Sequence, residues 1–487
     1  MLRPAVRALA IGSALAGMAG PALADDLRSA LTSAYNTNPT IEAARANQRA
    51  VDENVPIQRA AGLPSLSGTA TYTEFLKKNP TAFTAPDRSL DLLGQLSVPV
   101  YSGGAVRNSV KAARTRVEAG QQDLRSTESG VFSQVVAAYM DVIRDSAIVG
   151  LNRNNVEVLQ VNLKATSDRF EIGDVTRTDV AQSNSRLALA RADLRTAEAS
   201  LIASRERYIQ IVGSAPVDLQ PPPPLAGIPA APDEAVQFSL DNNPDLAAAR
   251  TRSKAAGYDT DAAGAGRLPR VSVFSSVDRT DFFGTLGGSV AGSSGQFAQR
   301  PTTAQAGVRA TIPIFQGGLP AAQERQAQAR EGAALEQEIG TERQVVATVR
   351  SAYSQWQSAN DVIALNQTAV DAAALSLEGV RAENTVGNRT ILNILDAEQE
   401  LLRAQVQLVT ARRNAYVAGF NLLAAMGRAD ADDLGLDGGA LYDPQVNYDR
   451  VKNKIFDWAH DPDPKPLSTR TVDTPAQDAT VPATQAP

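Results

Sequence analysis

Residues 89–101 alternate between apolar and polar side chains. Leu90, Leu92, Leu96, Val98 and Val100 share one side, and Ser89, Asp91, Gln95 and Ser97 the other. Residues 303–315 repeat the pattern: Ala304, Ala306, Val308, Ala310, Ile312 and Ile314 oppose Thr303, Gln305, Arg309 and Thr311. A period of two predicts strands. Residues 64–75, with Leu66, Ala70 and Tyr72 against Ser65, Ser67, Thr69 and Thr71, and the less regular 271–279 read as their hairpin partners. Elsewhere the pattern is helical. No proline interrupts residues 105–171 or 321–384, so each stretch predicts a helix of about 100 Å, several times the usual length. Shorter helices are expected over 25–59, 176–212, 233–264 and 389–426. The helix after Gly173 carries a heptad seam of Leu187, Leu194, Leu201 and Tyr208 beside Ala190, Ala197, Ser204 and Ile211. Leu401, Leu408, Ala415 and Leu422 beside Ala404, Ala411, Ala418 and Ala425 form its counterpart. Alternating large and small seams predict closely packed antiparallel helical hairpins. Gly173 and Gly387 are placed to end the long helices in left-handed C-caps.

The chain is written twice. Pro99-Val100-Tyr101-Ser102-Gly103-Gly104 recurs as Pro313-Ile314-Phe315-Gln316-Gly317-Gly318, Ala138-Tyr139 as Ala352-Tyr353, and Gly213 as Gly427. All share one offset: 313 − 99, 353 − 139 and 427 − 213 equal 214. Asn38-Pro39 and Leu63-Pro64 match Asn243-Pro244 and Leu268-Pro269 at an offset of 205. The nine extra residues (214 − 205) must therefore lie between Pro269 and Pro313, and are expected to lengthen a loop centred on residues 283–299. A duplication holding register over most of the chain predicts a repeated architecture. Its expected division is residues 25–214, a linker at 215–232 stiffened by Pro221-Pro222-Pro223-Pro224, a second repeat at 233–427, a C-terminal segment at 428–466, and a disordered Thr/Pro/Ala-rich tail at 467–487.

Composition removes most chemistry. There is no cysteine and a single histidine, His460, so thiol nucleophiles, zinc sites and disulfides are absent and imidazole catalysis nearly so. No G-x-S-x-G, H-E-x-x-H or P-loop occurs, and neither cofactor nor metal is expected. A net charge of −6 with mixed signs gives no footprint for nucleic acid. Aromatic residues make up only 5%, few for a compact core but adequate for alanine-rich helices. At the N-terminus, Arg3 and Arg7, the apolar run 8–18 and Ala22-Leu23-Ala24 predict a secretory signal over residues 1–24. The apolar run is too short for a membrane anchor, and no lipid-acceptor cysteine follows it.

Strand alternation alone suits a soluble antiparallel sheet as well as a membrane barrel that is apolar outside and polar inside. The signal peptide and the lack of another core favour the membrane. Four strands then leave two open edges, which lipid does not tolerate, so copies must assemble. Two would give eight strands and three would give twelve.

At this point the chain resembles the TolC family of outer-membrane channels over residues 25–427. The most specific elements are Val386-Gly387-Asn388-Arg389-Thr390-Ile391-Leu392-Asn393-Ile394-Leu395-Asp396-Ala397, then Arg169-Phe170-Glu171-Ile172-Gly173 with Thr178-Asp179-Val180, and the repeated Pro-(Val/Ile)-(Tyr/Phe)-x-Gly-Gly. The resemblance implies a mainly α fold with membrane β: duplicated helical hairpins forming an α-barrel, plus four strands per chain in a trimeric, twelve-stranded outer-membrane barrel. The helices cross the periplasm, with the 428–466 segment near the tunnel's middle. The homotrimer would dock a periplasmic adaptor and an inner-membrane ABC or proton-driven pump. Its implied gate ties Arg389 to Thr178 and Asp179. Asp396 matches one acidic ring, Asn393 stands where a second is usually aspartate, Asn384 replaces a tyrosine of the gate network, and Asp168 replaces a glutamine. The expected function is a passive exit duct for type I protein secretion, small-molecule efflux or both; the alternative is a structural or adhesive outer-membrane coiled-coil stalk.

Overall fold

The computed structural model describes residues 26–77, 85–286, 297–436 and 441–481; the expected signal peptide lies outside them. Three helices, α1 (Leu27–Thr37), α2 (Pro39–Asp52) and α3 (Asn54–Ala60), lead into strands β1 (Ser65–Glu74) and β2 (Arg88–Tyr101). The hairpin α4 (Ala105–Glu171) and α5 (Arg177–Val212) follows. The second half repeats this order with α6 (Pro232–Asn242), α7 (Pro244–Gly264), β3 (Arg270–Asp281), β4 (Thr302–Thr311), α8 (Leu319–Thr385) and α9 (Ile391–Met426), and α10 (Pro444–Val451) closes the chain. The hairpin helices agree to the residue: α4 and α8 each have 67 residues, and α5 and α9 each 36. The single helices expected over 25–59 and 233–264 are broken. Asn38-Pro39 and Asn243-Pro244 explain this, because each Pro begins a new helix while the preceding Asn caps it.

The four strands form one antiparallel sheet in the order β1-β2-β3-β4. Register places Leu66, Ala70 and Tyr72 opposite Leu96, Leu92 and Leu90, so one face is apolar. The other face is polar and bonded: Thr280 Oγ1 donates to Asp91 Oδ1 at 2.6 Å and Gln305 Nε2 to Ser276 Oγ at 3.0 Å. β3 read weakly because Ser275 and Arg279 sit opposite Leu96 and Leu92 on the apolar face. Pairing of Glu74 with Arg88 leaves 13 residues between β1 and β2 (75–87), and pairing of Arg279 with Thr302 leaves 22 between β3 and β4 (280–301). The difference is the nine-residue excess; residues 287–296 of that loop lie outside the described set. β1 and β4 are open edges, and Leu66, Val308, Ile312 and Ile314 are more than half exposed. Among the described residues no helix is long and apolar enough to cross a membrane.

Gly104 and Gly318 turn the chain from strand to long helix with φ of 89° and 82°, which explains the Gly-Gly pairs. Both hairpins pack through the expected seams: Leu187, Ala190, Leu201 and Tyr208 are buried on α5, and Ala404, Leu408, Ala415 and Leu422 on α9. α7 lies against α4 and α8 through polar contacts. Arg116 pairs with Asp259, Arg252 with Asp123, and Thr260 Oγ1 donates to Glu331 at 2.7 Å. The main core is a waist of Tyr35, Phe132, Val135, Tyr139, Leu201, Tyr208 and Phe420. The repeated tyrosines hold the linker: Tyr139 of this core donates to Gln220 O, and Tyr353 of a second cluster with Leu246, Val349 and Leu422 donates to Ala230 O, both at 2.6 Å.

Residues 467–481 lie along α5 without regular secondary structure; Arg205 donates to Asp478 O at 2.6 Å and to Thr480 O at 2.7 Å, while Ala479 and Val481 pack on the waist core. Arg205 also pairs with the Asp478 carboxylate at 3.3 Å, so backbone and side-chain acceptors together hold this segment.

Within the waist, Glu128 of α4 is only 6% exposed. Arg45 of α2, Arg125 of α4, and Asp430 and Asp432 of the C-terminal segment face it. Arg45 itself stacks on Tyr35 and Tyr442 and pairs with Glu42. Burial pushes the Glu128 carboxyl up to about 7. The folded chain therefore favours the neutral form. That contribution is full below the ordinary carboxyl pKa of 4.5 and is lost as pH rises through about 7. Thermal stability should fall from about pH 5 to about pH 8 by an amount of the order of 3 kcal/mol per protomer. Glu128→Gln should remove most of that slope in melting scans; an equally steep slope in the variant would assign it elsewhere.

Candidate functional site at the hairpin tips

Each tip is built twice from the same local chemistry. Gly173 and Gly387 take φ of 77° and 81°, letting Asp174 N–H reach Arg169 O and Asn388 N–H reach Glu383 O, both at 2.9–3.0 Å. These bonds satisfy the last carbonyls of α4 and α8. Arg169 then pairs with Asp174 at 2.6 Å and Arg389 with Glu383 at 2.6 Å, across each turn. Asn384 Nδ2 donates to Arg389 O at 2.7 Å, so it secures the turn rather than spanning hairpins. The next helices start on capping boxes. Asp179 Oδ2 accepts from Thr176 N at 2.8 Å and Thr176 Oγ1 at 2.7 Å. Asn393 Oδ1 accepts from Thr390 N at 3.1 Å and Thr390 Oγ1 at 2.9 Å. These bonds hold the Asp179 carboxyl below its ordinary range. Asn393 is thus the duplicate of Asp179 (393 − 179 = 214), and an amide performs the same capping task without charge. The Thr-x-x-Asp and Thr-x-x-Asn spacings were a readable signal for this role.

The structure does not bring Arg389 to Thr178 and Asp179 within one chain. Arg389 is engaged by Glu383, Asp179 by Thr176, and among the described residues no bond joins them. Thr178 and Asp168 are exposed at the tip. Asp396 is not a free carboxylate either, because Arg186 Nη2 of α5 donates to its Oδ1 at 2.6 Å. Arg186 Nη1 also donates to Gln399 Oε1 at 2.6 Å.

What closes the two hairpins on each other in the protomer is a set of residues that sequence reading missed. Leu395 of α9 is buried with Val156, Leu159, Leu187 and Ala190. One turn on, Glu398 is buried and accepts from Asn162 Nδ2 of α4 at 3.0 Å on both oxygens, and from Arg381 of α8 at 3.0 Å. α9 is therefore tied to α4, α5 and α8 together. The available signal was a glutamate following Ile391 and Leu395 on the buried stripe of α9, since a buried carboxylate requires donors. Among the described residues no group of His, Cys, Asp and Glu is arranged to hold a metal ion. The arrangement joins the hairpins of one protomer through charge-assisted contacts.

Residues 30–214 and 235–428 match the family described as outer membrane efflux protein. The outer membrane efflux protein BepC of Brucella suis is 34% identical over 452 residues, 93% of this chain and 95% of that protein. The outer membrane protein TolC of Escherichia coli K12 is 26% identical, covering 95% of each. Among solved structures, the outer membrane protein VceC of Vibrio cholerae superposes with a TM-score of 0.69 at 22% identity, over 82% of this chain and 96% of that one. The duplicated hairpins and four-stranded sheet are thus a shared fold, and the chain belongs to the outer membrane efflux protein family, channel proteins of the outer membrane.

Proposed function

We propose that three copies of this chain form a passive exit duct: a twelve-stranded outer-membrane barrel continuous with a helical tunnel through the periplasm, serving small-molecule efflux, type I protein secretion or both. The observation that carries it is one sheet with open edges β1 and β4, joined without interruption to helices of 67 residues. Strand hairpins inserted between helices return both long helices to the same side of the sheet, which suits a tunnel and not an adhesive stalk. A duct of this kind performs no chemistry, and its driving force comes from a docked periplasmic adaptor and an inner-membrane pump of the ABC or proton-driven type. Deleting the gene should raise drug sensitivity, empty the secreted proteome of particular proteins, or both, and which of these occurs identifies the cargo. An unchanged strain on both counts would sink the duct.

The gate has two layers in this reading. Glu398 with Asn162 and Arg381, and Arg186 with Asp396 and Gln399, hold the hairpins within a protomer. Arg389 reaches Thr178 and Asp179 of the next protomer, because α8 and α5 flank opposite sides of the chain and meet when the ring closes. Removing one partner of a buried, multiply bonded carboxylate costs about 3 kcal/mol, whereas a half-exposed pair is worth about 1 kcal/mol or less. Arg389→Ser and Glu398→Ala should both raise single-channel conductance in planar bilayers, and Arg186→Ala should do so less. No change in either of the first two would assign closure to other contacts.

Asp396 gives a second test. Three copies form a carboxylate ring at the constriction, currently masked by Arg186. Asp396→Asn should weaken block by multivalent cations, and Arg186→Ala should strengthen it by unmasking the ring. Weaker block in the Arg186 variant would mean that Asp396 does not face the lumen.

A further inference from the structure

The segment after α10 carries a feature that the duct does not require. Residues 452–461 form a loop closed at its base: Arg450 donates from Nη1 and Nη2 to the two carboxylate oxygens of Asp461 at 2.7 and 2.8 Å, and Lys454 Nζ adds a third bond at 3.3 Å. Lys454 N–H bonds Val451 O and Ala459 N–H bonds Phe456 O, both near 3 Å, so the loop folds on itself. Its apolar side chains nevertheless point outward. Ile455 and Phe456 are each 71% exposed and Trp458 is 82% exposed. Three large apolar residues side by side in solvent are costly, and Trp458 is one of only two tryptophans in the chain.

The direction of α10 shows where this loop goes. Its first turn lies beside Gln121, to which Gln445 donates at 3.1 Å. That is about 24 Å along α4 from its junction with the sheet at Ala105. Tyr448 packs with Val110, Ala113 and Val117, closer to the junction. Lys452 O then accepts from Arg59 at 3.2 Å, at the end of α3 and just before β1 begins at Ser65. The helix therefore travels towards the membrane strands and delivers the loop at their periplasmic rim. Lys452 pairs with Asp449 and Lys454 with Asp461, so both lysines brace the base of the loop and leave the apolar tip uncovered. Tryptophan at the level of the headgroups, beside further exposed apolar side chains, is the chemistry of an interfacial anchor.

We propose that the loop closed by Arg450 and Asp461 is a membrane anchor, with Ile455, Phe456 and Trp458 entering the periplasmic leaflet of the outer membrane beside the barrel. It fastens the C-terminal segment, and through it the waist, to the bilayer surface.

The trimer reconstituted in nanodiscs of phosphatidylethanolamine and phosphatidylglycerol provides the test. In a Trp356→Phe background Trp458 is the sole tryptophan, and lipids brominated high on their acyl chains should cause loss of its emission. The chain has no cysteine, so a nitroxide on Phe456→Cys, in the native tryptophan background, gives an independent reading and should relax with oxygen rather than with a water-soluble nickel chelate. Emission at the wavelength of solvated tryptophan, or nickel-dominated relaxation, overturns the anchor. Blue-shifted emission that bromine does not quench also overturns it, because the loop is then covered by protein.

Discussion

The structure depends on the closure of backbone hydrogen bonds where water is absent. β1 and β4 each present an outer edge of ten residues, on which about half of the N–H and C=O groups point away from the sheet. At several kcal/mol for each such group in lipid, an isolated sheet in the bilayer is not viable at any plausible stability of the rest. Assembly is therefore a condition of folding in place. The helices inherit this condition, since three residues separate β2 from α4 and seven separate β4 from α8, both spans ending in a Gly-Gly corner. In the proposed trimer a ring of strands imposes a ring of helices.

The two halves keep the same frame but use it differently. Within one protomer α4 buries 24 of its residues and α8 four. The reason is what surrounds them: α1, α2, α3, α10 and the C-terminal segment all gather on the first half, while α8 is left with α6, α7 and α9. Duplication preserved lengths, corners and caps, because a mismatch would break the register of the barrel. Divergence accumulated on the faces, where Asn393 can stand for Asp179 at a cap, and where Arg381 and Glu398 make a contact that the first half lacks.

Much of this was legible in the sequence. Period-two alternation located all four strands, proline-free runs located the long helices, and the common offset fixed the lengths of both hairpins. The loop excess followed from arithmetic alone. What escaped had physical reasons. Pro39 and Pro244 break helices whose apolar pattern continues across them, because an Asn cap and a Pro start cost little there. At the tips, Asp179, Asn384 and Asn393 carry local capping and turn bonds that a search for gate charges overlooks. Glu398 was hidden because its three donors come from separate helices, which only tertiary structure brings together.

The linker clasped by Tyr139 and Tyr353 has a mechanical consequence. Both tyrosines sit at the same height on equivalent helices and bind one proline-stiffened span, Gln220 to Ala230, which acts as a spacer bar between the two rods of the protomer. From Tyr139 to the end of α4 the helix runs a further 32 residues (171 − 139), or about 48 Å. With the bar fixing the separation of the rods at that height, the free lower arm is a lever. A tilt of about 5° carries its end about 4 Å at that arm length, more than the span of a hydrogen bond, so a slight lean of one rod below the bar is enough to part contacts between the two hairpins while the arms above stay in register.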